Sequence, residues 1–258
     1  MAKVIAVFTQ KGGVGKTTIA SNLLAELKYQ GKKVIGVDLD SQGNLSKLFG
    51  AKTENENTVS DFLAGECKFE DIVQHSEVFG DIIPSDNYLQ PFIVSHYVKP
   101  ENLFSLNNIV EGFKNNYDYV IIDCPPNNNL LTFSALIEAD EIVVPLILDY
   151  FAMDAFKELV RTIMTEVVPI ANKKYKLLLI VNKYNARYRV QRKWYKILEK
   201  TIEVQLSEKI EIRLLKNKLS DSPNVQELQM LKKSLRFNKH KQCEEFSNIV
   251  QELIEEVQ

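Results

Sequence analysis

The chain has 258 residues, 45% hydrophobic and 26% charged, with a net charge of −2, which excludes a disordered or fibrous chain and fits one large α/β domain. No apolar run approaches a membrane span, and the three cysteines, Cys67, Cys124 and Cys243, form no C-x-x-C pair, so neither a disulfide framework nor a zinc site is indicated. Met1-Ala2-Lys3 runs directly into the first strand without a signal peptide, and a reducing, cytoplasmic setting is expected.

Val4-Ile5-Ala6-Val7-Phe8 predicts a strand and Thr18 to Tyr29 a helix, joined by Thr9-Gln10-Lys11-Gly12-Gly13-Val14-Gly15-Lys16-Thr17. A glycine-rich turn between strand and helix is a phosphate cradle. Without Cβ atoms its backbone curls and aims N–H groups at an anion, and the helix N-terminus adds its own free N–H groups and positive dipole end. Lys16 would neutralise phosphate charge, and the Thr17 hydroxyl would sit on a magnesium ion. The ordinary loop has glycine at the position of Gln10; here the run reads K-G-G-x-G-K-T-T, with an extra lysine at Lys11.

With this loop the chain resembles the ParA/MinD family of ATPases, whose deviant Walker A loop carries such a lysine. The resemblance implies a fold and an activity: an α/β, single-domain P-loop NTPase with a mostly parallel twisted sheet flanked by helices on both faces, over residues 1–258. It implies ATP and Mg2+ as cofactors, held by Lys11, Gly12, Gly13, Val14, Gly15, Lys16, Thr17 and Thr18. It also implies that Lys11 reaches across an ATP-bound homodimer to the partner's nucleotide.

Further along, Ile19, Leu23, Leu24 and Leu27 make a helical stripe, Gly31 ends the helix, and Val34 to Val37 reads as the second strand. It ends in Asp38-Leu39-Asp40-Ser41-Gln42-Gly43-Asn44, carboxylates where ligands bind in open parallel sheets. The run resembles the family's D-x-D-P-Q-G-N segment, with Ser41 in place of proline. By that match Asp40 orients the attacking water and Asp38 supports the magnesium shell. Residues 45–116 are less informative. Thr58 to Leu63 reads as a capped helix start, Asp81 to Ser85 as a short strand and turn, and Ser105 to Phe113 as a helix; Pro91 and Pro100 mark irregular connections.

Tyr117-Asp118-Tyr119-Val120-Ile121-Ile122-Asp123-Cys124-Pro125-Pro126 has the Walker B layout, an apolar strand ending in a carboxylate, so Asp123 would hold magnesium through water. Cys124 reads as a small apolar filler. The family continues with Ser-Leu-Gly; here Asn127-Asn128-Asn129 follows, and asparagines supply turns and hydrogen bonds. Glu141 to Leu146 is the next buried strand, and Asp149-Tyr150-Phe151-Ala152-Met153 opens a helix running to about Val168. In the family such aromatics pack near the dimer interface; core packing is an equal reading for Tyr150 and Phe151. Lys176 to Val181 is a strand ending in Asn182-Lys183-Tyr184-Asn185. The guanine reader N-K-x-D needs a carboxylate where Asn185 stands, so ATP is favoured over GTP, with Asn182 free to bond adenine.

Between Lys173 and Lys241 there are 19 Lys/Arg against 6 Asp/Glu, a balance of +13 that leaves −15 for the rest. Such asymmetry suggests a polyanion-binding face. A helix from Arg187 turns Val190, Trp194, Ile197 and Leu198 to the core and leaves its cations outside. DNA-binding candidates are Arg187, Arg189, Arg192, Lys193, Lys216, Lys218, Lys232, Lys233 and Arg236, with Lys196, Lys200, Lys209, Arg213, Lys239 and Lys241 adding charge. Phosphate contacts of this kind read no sequence. Leu219-Ser220-Asp221-Ser222-Pro223 resembles the family's L-S-E-A-P segment, which lies near both the DNA surface and the nucleotide. The last helix, from about Cys243 to Val257, has an apolar face of Phe246, Ile249, Val250, Leu253, Ile254 and Val257 and a glutamate-rich one, which does not suit anionic lipid.

The resemblance therefore implies a ParA/Soj-type partition ATPase: ATP-dependent dimerisation, nonspecific DNA binding at the nucleoid, slow hydrolysis stimulated by a ParB-like centromere-binding protein, and no membrane. The alternative is a MinD-like membrane-associated positioning ATPase.

Overall fold

The structure, a computed structural model, describes residues 2–96, 105–113, 116–204, 208–237 and 241–257; Pro100 and Lys239 lie outside these. The strands are β1 (Lys3–Val7), β2 (Val34–Asp38), β3 (Gln74–Ser76), β4 (Gly80–Ile83), β5 (Tyr119–Asp123), β6 (Glu141–Leu146), β7 (Tyr175–Val181) and β8 (Ile210–Leu214). They form one eight-stranded sheet in the order β3-β4-β2-β5-β1-β6-β7-β8. All neighbours are parallel except the β3–β4 pair at one edge. Strands buried on both faces read as continuous apolar runs, and β1, β2, β5, β6 and β7 do so.

Successive side chains leave the sheet on opposite sides, and the core divides accordingly. From β1, Val4 and Ala6 join one apolar cluster while Ile5 and Val7 join the other. From β5, Val120 and Ile122 face the first and Ile121 the second. The second face is covered by α1 (Lys16–Tyr29), α2 (Asn44–Phe49), α10 (Pro223–Met230) and α11 (Lys241–Val257). The first is covered by α3 (Val59–Ala64), α4 (Leu89–His96), α5 (Ser105–Phe113), α6 (Leu130–Glu138), α7 (Ala152–Thr162), α8 (Val168–Ala171) and α9 (Arg189–Val204).

The helix expected to run from Asp149 to Val168 is interrupted. After α7 the chain makes a π turn, Ile163–Val167, before α8. The wide turn precedes Pro169, whose missing N–H and bulky ring cannot continue an i→i−4 ladder. Val190 is also not where the helical pattern puts it: it is 61% exposed, whereas Leu198 is buried and Trp194 and Ile197 partly so. Val190 belongs to the first turn of α9, ahead of the part that lies on the sheet. On α11 the expected residues Phe246, Ile249, Val250, Leu253 and Ile254 are all buried against α1 and the strands. The side chain of Val257 lies outside the described set.

Candidate nucleotide site

β1 ends under a loop whose shape depends on two glycines. Gly13 and Gly15 have φ of +73° and +96°, a region that side chains disfavour. Gly15 is also the residue from which α1 starts. A Cβ there would stand 2.3 Å from Asn182 Nδ2, so only glycine lets the end of β7 approach.

Around this loop the structure gathers carboxylates from neighbouring strands. Asp38 ends β2 and Asp123 ends β5, and the two are in register. Asp38 is fully buried, and its oxygens are already engaged. Oδ2 accepts from Ser46 N at 2.8 Å and Ser46 Oγ at 2.7 Å, and Oδ1 accepts from Asp40 N at 3.1 Å. Burial raises its pKa to about 6 despite those hydrogen bonds. Asp38 thus holds Asp40 and the start of α2 in place, which suits a supporting role. Asp40 lines the cleft, with its Oδ1 capping Gln42 N at 2.9 Å.

Asp123 is different. Its two carboxylate oxygens are buried, and neither has a hydrogen-bond partner of normal geometry. Burial, followed by the charge of Asp38, pushes its pKa well above the usual carboxylate range; the nearby Thr17 hydroxyl and Lys16 ammonium offset this only in part. Lys16 is held down by burial, against the opposing pull of Asp123. Among the described residues its Nζ donates to the Lys11 carbonyl at 3.4 Å. A buried carboxylate without partners beside a hydroxyl and a buried lysine is incomplete, and a divalent cation with phosphates would complete it. Among the described residues no three or more His, Cys, Asp or Glu side chains converge as a metal site. Such a cation would therefore be held by Asp123 and Thr17 with the phosphates. Cys124 next door is buried, and burial pushes its thiol far up, the behaviour of an inert filler.

Two residues are placed in ways the sequence does not suggest. Lys11 pairs with Asp149 of its own chain, just ahead of α7. Asn182 donates from Nδ2 to the Val14 carbonyl at 2.8 Å and accepts Lys183 N at 2.8 Å. It ties the end of β7 to the glycine loop. Asn129 caps α6, accepting Thr132 N at 2.7 Å, while Thr132 Oγ1 donates to Asn127 O at 3.0 Å, so the asparagine loop is an ordered helix start.

The loop opens into a cleft of about 630 Å3, lined on its far side by Asn182, Lys183, Ser220, Asp221 and Ser222 and by α10. That volume matches small-molecule sites. Gln226, Gln229 and Met230 of α10, with Lys47 of α2, complete its wall, and Gln229 Nε2 donates to Thr18 Oγ1 at 2.8 Å. Sequence reasoning missed α10, although Ser222-Pro223 is an N-cap followed by proline at the first helical position, a usable start signal.

The basic candidates do not share one surface. Arg187, Arg189, Arg192 and Lys193 are exposed at the start of α9, on the first face of the sheet. Lys232, Lys233 and Arg236 follow α10, on the second. Arg236 pairs with the buried Glu26 at 3.1 Å and stacks 3.7 Å over Tyr29. Lys218 lies 4.0 Å over the Tyr195 ring and donates to Lys216 O, while Lys216 itself is exposed. Arg236 and Lys218 are thus occupied within the fold, and Lys232 lines the nucleotide cleft.

A glycine-rich strand–loop–helix with a carboxylate ending a neighbouring parallel strand defines the P-loop nucleoside-triphosphatase class. Within that class, the family model described as an AAA domain matches residues 2–177, and the chain belongs to this family. It is 39% identical over 165 residues to the sporulation initiation inhibitor protein Soj of Bacillus subtilis, covering 63% of this chain and 65% of Soj. It is 39% identical over 165 residues to the chromosome partitioning protein ParA of Caulobacter vibrioides, covering 62% of each chain. The match spans less than two thirds of either relative's length. The fold is similar to cobyrinic acid a,c-diamide synthase from Mycobacterium smegmatis with bound ATP analogue and magnesium, at a TM-score of 0.83 and 25% identity, over 100% of this chain and 96% of that one.

Proposed function

We propose that this chain is a ParA-like ATPase of plasmid or chromosome partition, switching between an ATP-bound dimer on DNA and a released form. The observation that carries the reading is the buried, partnerless Asp123 carboxylate beside Lys16 and Thr17 at the foot of the glycine loop. Thr17 and Asp123 would hold magnesium, which supplies positive charge to the terminal phosphates. The loop N–H groups and Lys16 bind the phosphates, and the lowered pKa of Lys16 marks a cation that gains from an arriving anion. Asp40, steadied by Asp38, orients a water. Lys11 leaves Asp149 to reach the second subunit's phosphates, where a positive charge stabilises the transition state. The exposed cations of α9 hold DNA by its backbone, without regard to sequence. A ParB-like partner stimulates hydrolysis and release.

The MinD-like alternative calls for an apolar helix face turned to a bilayer. The described apolar residues of α11 are buried in the core, which favours the partition reading. No helix among the described residues is long and apolar enough to cross a membrane.

The test is nucleotide binding and turnover by wild type and Lys16→Ala, followed by binding to unrelated duplexes with ATP, ADP or no nucleotide at two salt concentrations. Magnesium-dependent ATP binding lost in Lys16→Ala, with salt-sensitive DNA binding that needs ATP, is the expected result. ATP affinity unchanged by Lys16→Ala would overturn the site assignment. ATP-dependent pelleting with liposomes and no DNA binding would transfer the chain to the MinD-like reading.

A further inference from the structure

The segment between β8 and α10 walls the cleft opposite the phosphate loop, yet it has almost no secondary structure of its own. Leu215 N and Leu219 N donate to the Leu179 and Val181 carbonyls of β7, and three more of its backbone donors are taken by α11. Glu252 accepts Lys216 N at 2.7 Å, Asn217 N at 3.1 Å and Asn217 Nδ2 at 2.8 Å. Two helical turns earlier, Glu245 takes Ser220 with both oxygens: Oε2 accepts Ser220 N at 2.8 Å and Oε1 accepts Ser220 Oγ at 2.5 Å. Ser220 is also bridged to Tyr184 beyond β7, Tyr184 N donates to Leu219 O at 2.9 Å, and Asp221 N donates to Tyr184 O at 3.4 Å. The loops after β7 and β8 therefore form one wall, and Glu245 is the side chain that fixes it from behind. The Glu245 side chain is only 16% exposed, although it carries a charge, and Lys241 Nζ closes over Oε1 at 2.8 Å. Charge-assisted bonds in such a place are strong and directional.

We infer that Glu245 is a positioning residue for the nucleoside end of the nucleotide, acting through Ser220. The inference rests on the nucleotide reading of the cleft. The glycine loop takes the phosphates, so base and sugar lie against the remaining wall, and the Ser220–Ser222 backbone is part of it. Glu245 touches no ligand. It sets where that backbone stands, and so governs affinity for the nucleoside while leaving the phosphate cradle alone. The roles divide cleanly along α11: Glu252 braces the entry of the segment, Glu245 the part that lines the cleft.

The experiment measures equilibrium binding of magnesium-ATP and of magnesium with inorganic triphosphate to the full chain. The variants are Glu245→Ala, Glu245→Gln and Glu245→Asp, with KM and kcat for ATP alongside. Glu245→Ala should weaken ATP binding about tenfold, the loss expected for two charge-assisted hydrogen bonds, and leave triphosphate binding unchanged. KM should rise with little change in kcat. Glu245→Gln should restore ATP affinity, because its carbonyl accepts Ser220 N–H and its amide donates to the Ser220 hydroxyl. Glu245→Asp, too short to hold both groups, should show the same selective loss and serves if the alanine variant does not fold. Unchanged ATP affinity in Glu245→Ala and Glu245→Asp, or an equal loss for ATP and triphosphate, would overturn the inference. Wild-type protein binding neither ligand would remove the nucleotide reading and this inference with it, whereas wild-type ATP binding with insensitive Glu245 variants would remove only the latter.

Discussion

Gly15 accepts no side chain, for two separate reasons. Its φ of +96° disfavours any L-residue, and a Cβ would press on Asn182 Nδ2 at 2.3 Å. Gly15→Ala should therefore cost about 1–3 kcal/mol of stability, measured by denaturant melts, and abolish ATP binding as the loop is pushed off Asn182. Asp38 gives a prediction in pH. Its folded pKa of about 6 lies above the ordinary aspartate value of 3.8, so its stabilising share is full below about pH 4 and is lost as pH rises through 6. Asp38→Asn removes that dependence. The stability of the variant relative to wild type should rise between about pH 4 and 6 and flatten above, as read from melting temperatures in ligand-free buffer. A constant difference across that range would show that Asp38 does not titrate there. That Lys16, Thr17, Asp40 and Asp123 would stand at strand and loop ends facing one cleft was legible in the sequence, because such ends are local patterns. The pairings of Asn182 with Val14 and of Lys11 with Asp149 were not, since each joins residues more than a hundred positions apart.

At the scale of elements, helical periodicity read α1 and α11 well and failed at the first turn of α9, where Val190 is exposed. Periodicity reports which side of a helix is apolar but not how far along it the sheet extends. β8 escaped notice although Ile210, Ile212 and Leu214 alternate with Glu211 and Arg213, a half-buried edge pattern. Composition alone makes the basic third one patch, and the fold divides it between two faces. That division gives a sharp test. Replacing Arg187, Arg189 and Arg192 together by alanine should reduce the slope of log affinity for DNA against log salt by about 2–3, since each arginine that no longer meets a phosphate releases one counterion fewer. Lys233→Ala, on the opposite face, should leave the slope unchanged. The reverse outcome would move DNA to the α10 side.

At the scale of the whole molecule, one sheet supports both faces, and α1 and α11 on one side and α9 on the other all depend on it. Urea unfolding followed by the fluorescence of Trp194, the single tryptophan, should therefore coincide with unfolding followed by far-ultraviolet circular dichroism. Separate midpoints would mean that the β6–β8 side unfolds on its own. The parallel α/β class was legible from apolar runs ending in carboxylates; the strand order was not, because it depends on which crossovers pass which face. That order has a consequence during synthesis. β1 precedes both of its sheet neighbours, β5 and β6, along the sequence. It emerges from the ribosome with neither neighbour, and at about 5–20 residues per second it waits on the order of ten seconds for them. Until then the apolar run Val4 to Phe8 is without the two strands that flank it in the sheet. The far wall of the cleft is held by Glu245 and Glu252, more than two hundred positions along the sequence from the glycine loop, so the cleft needs both stretches in place.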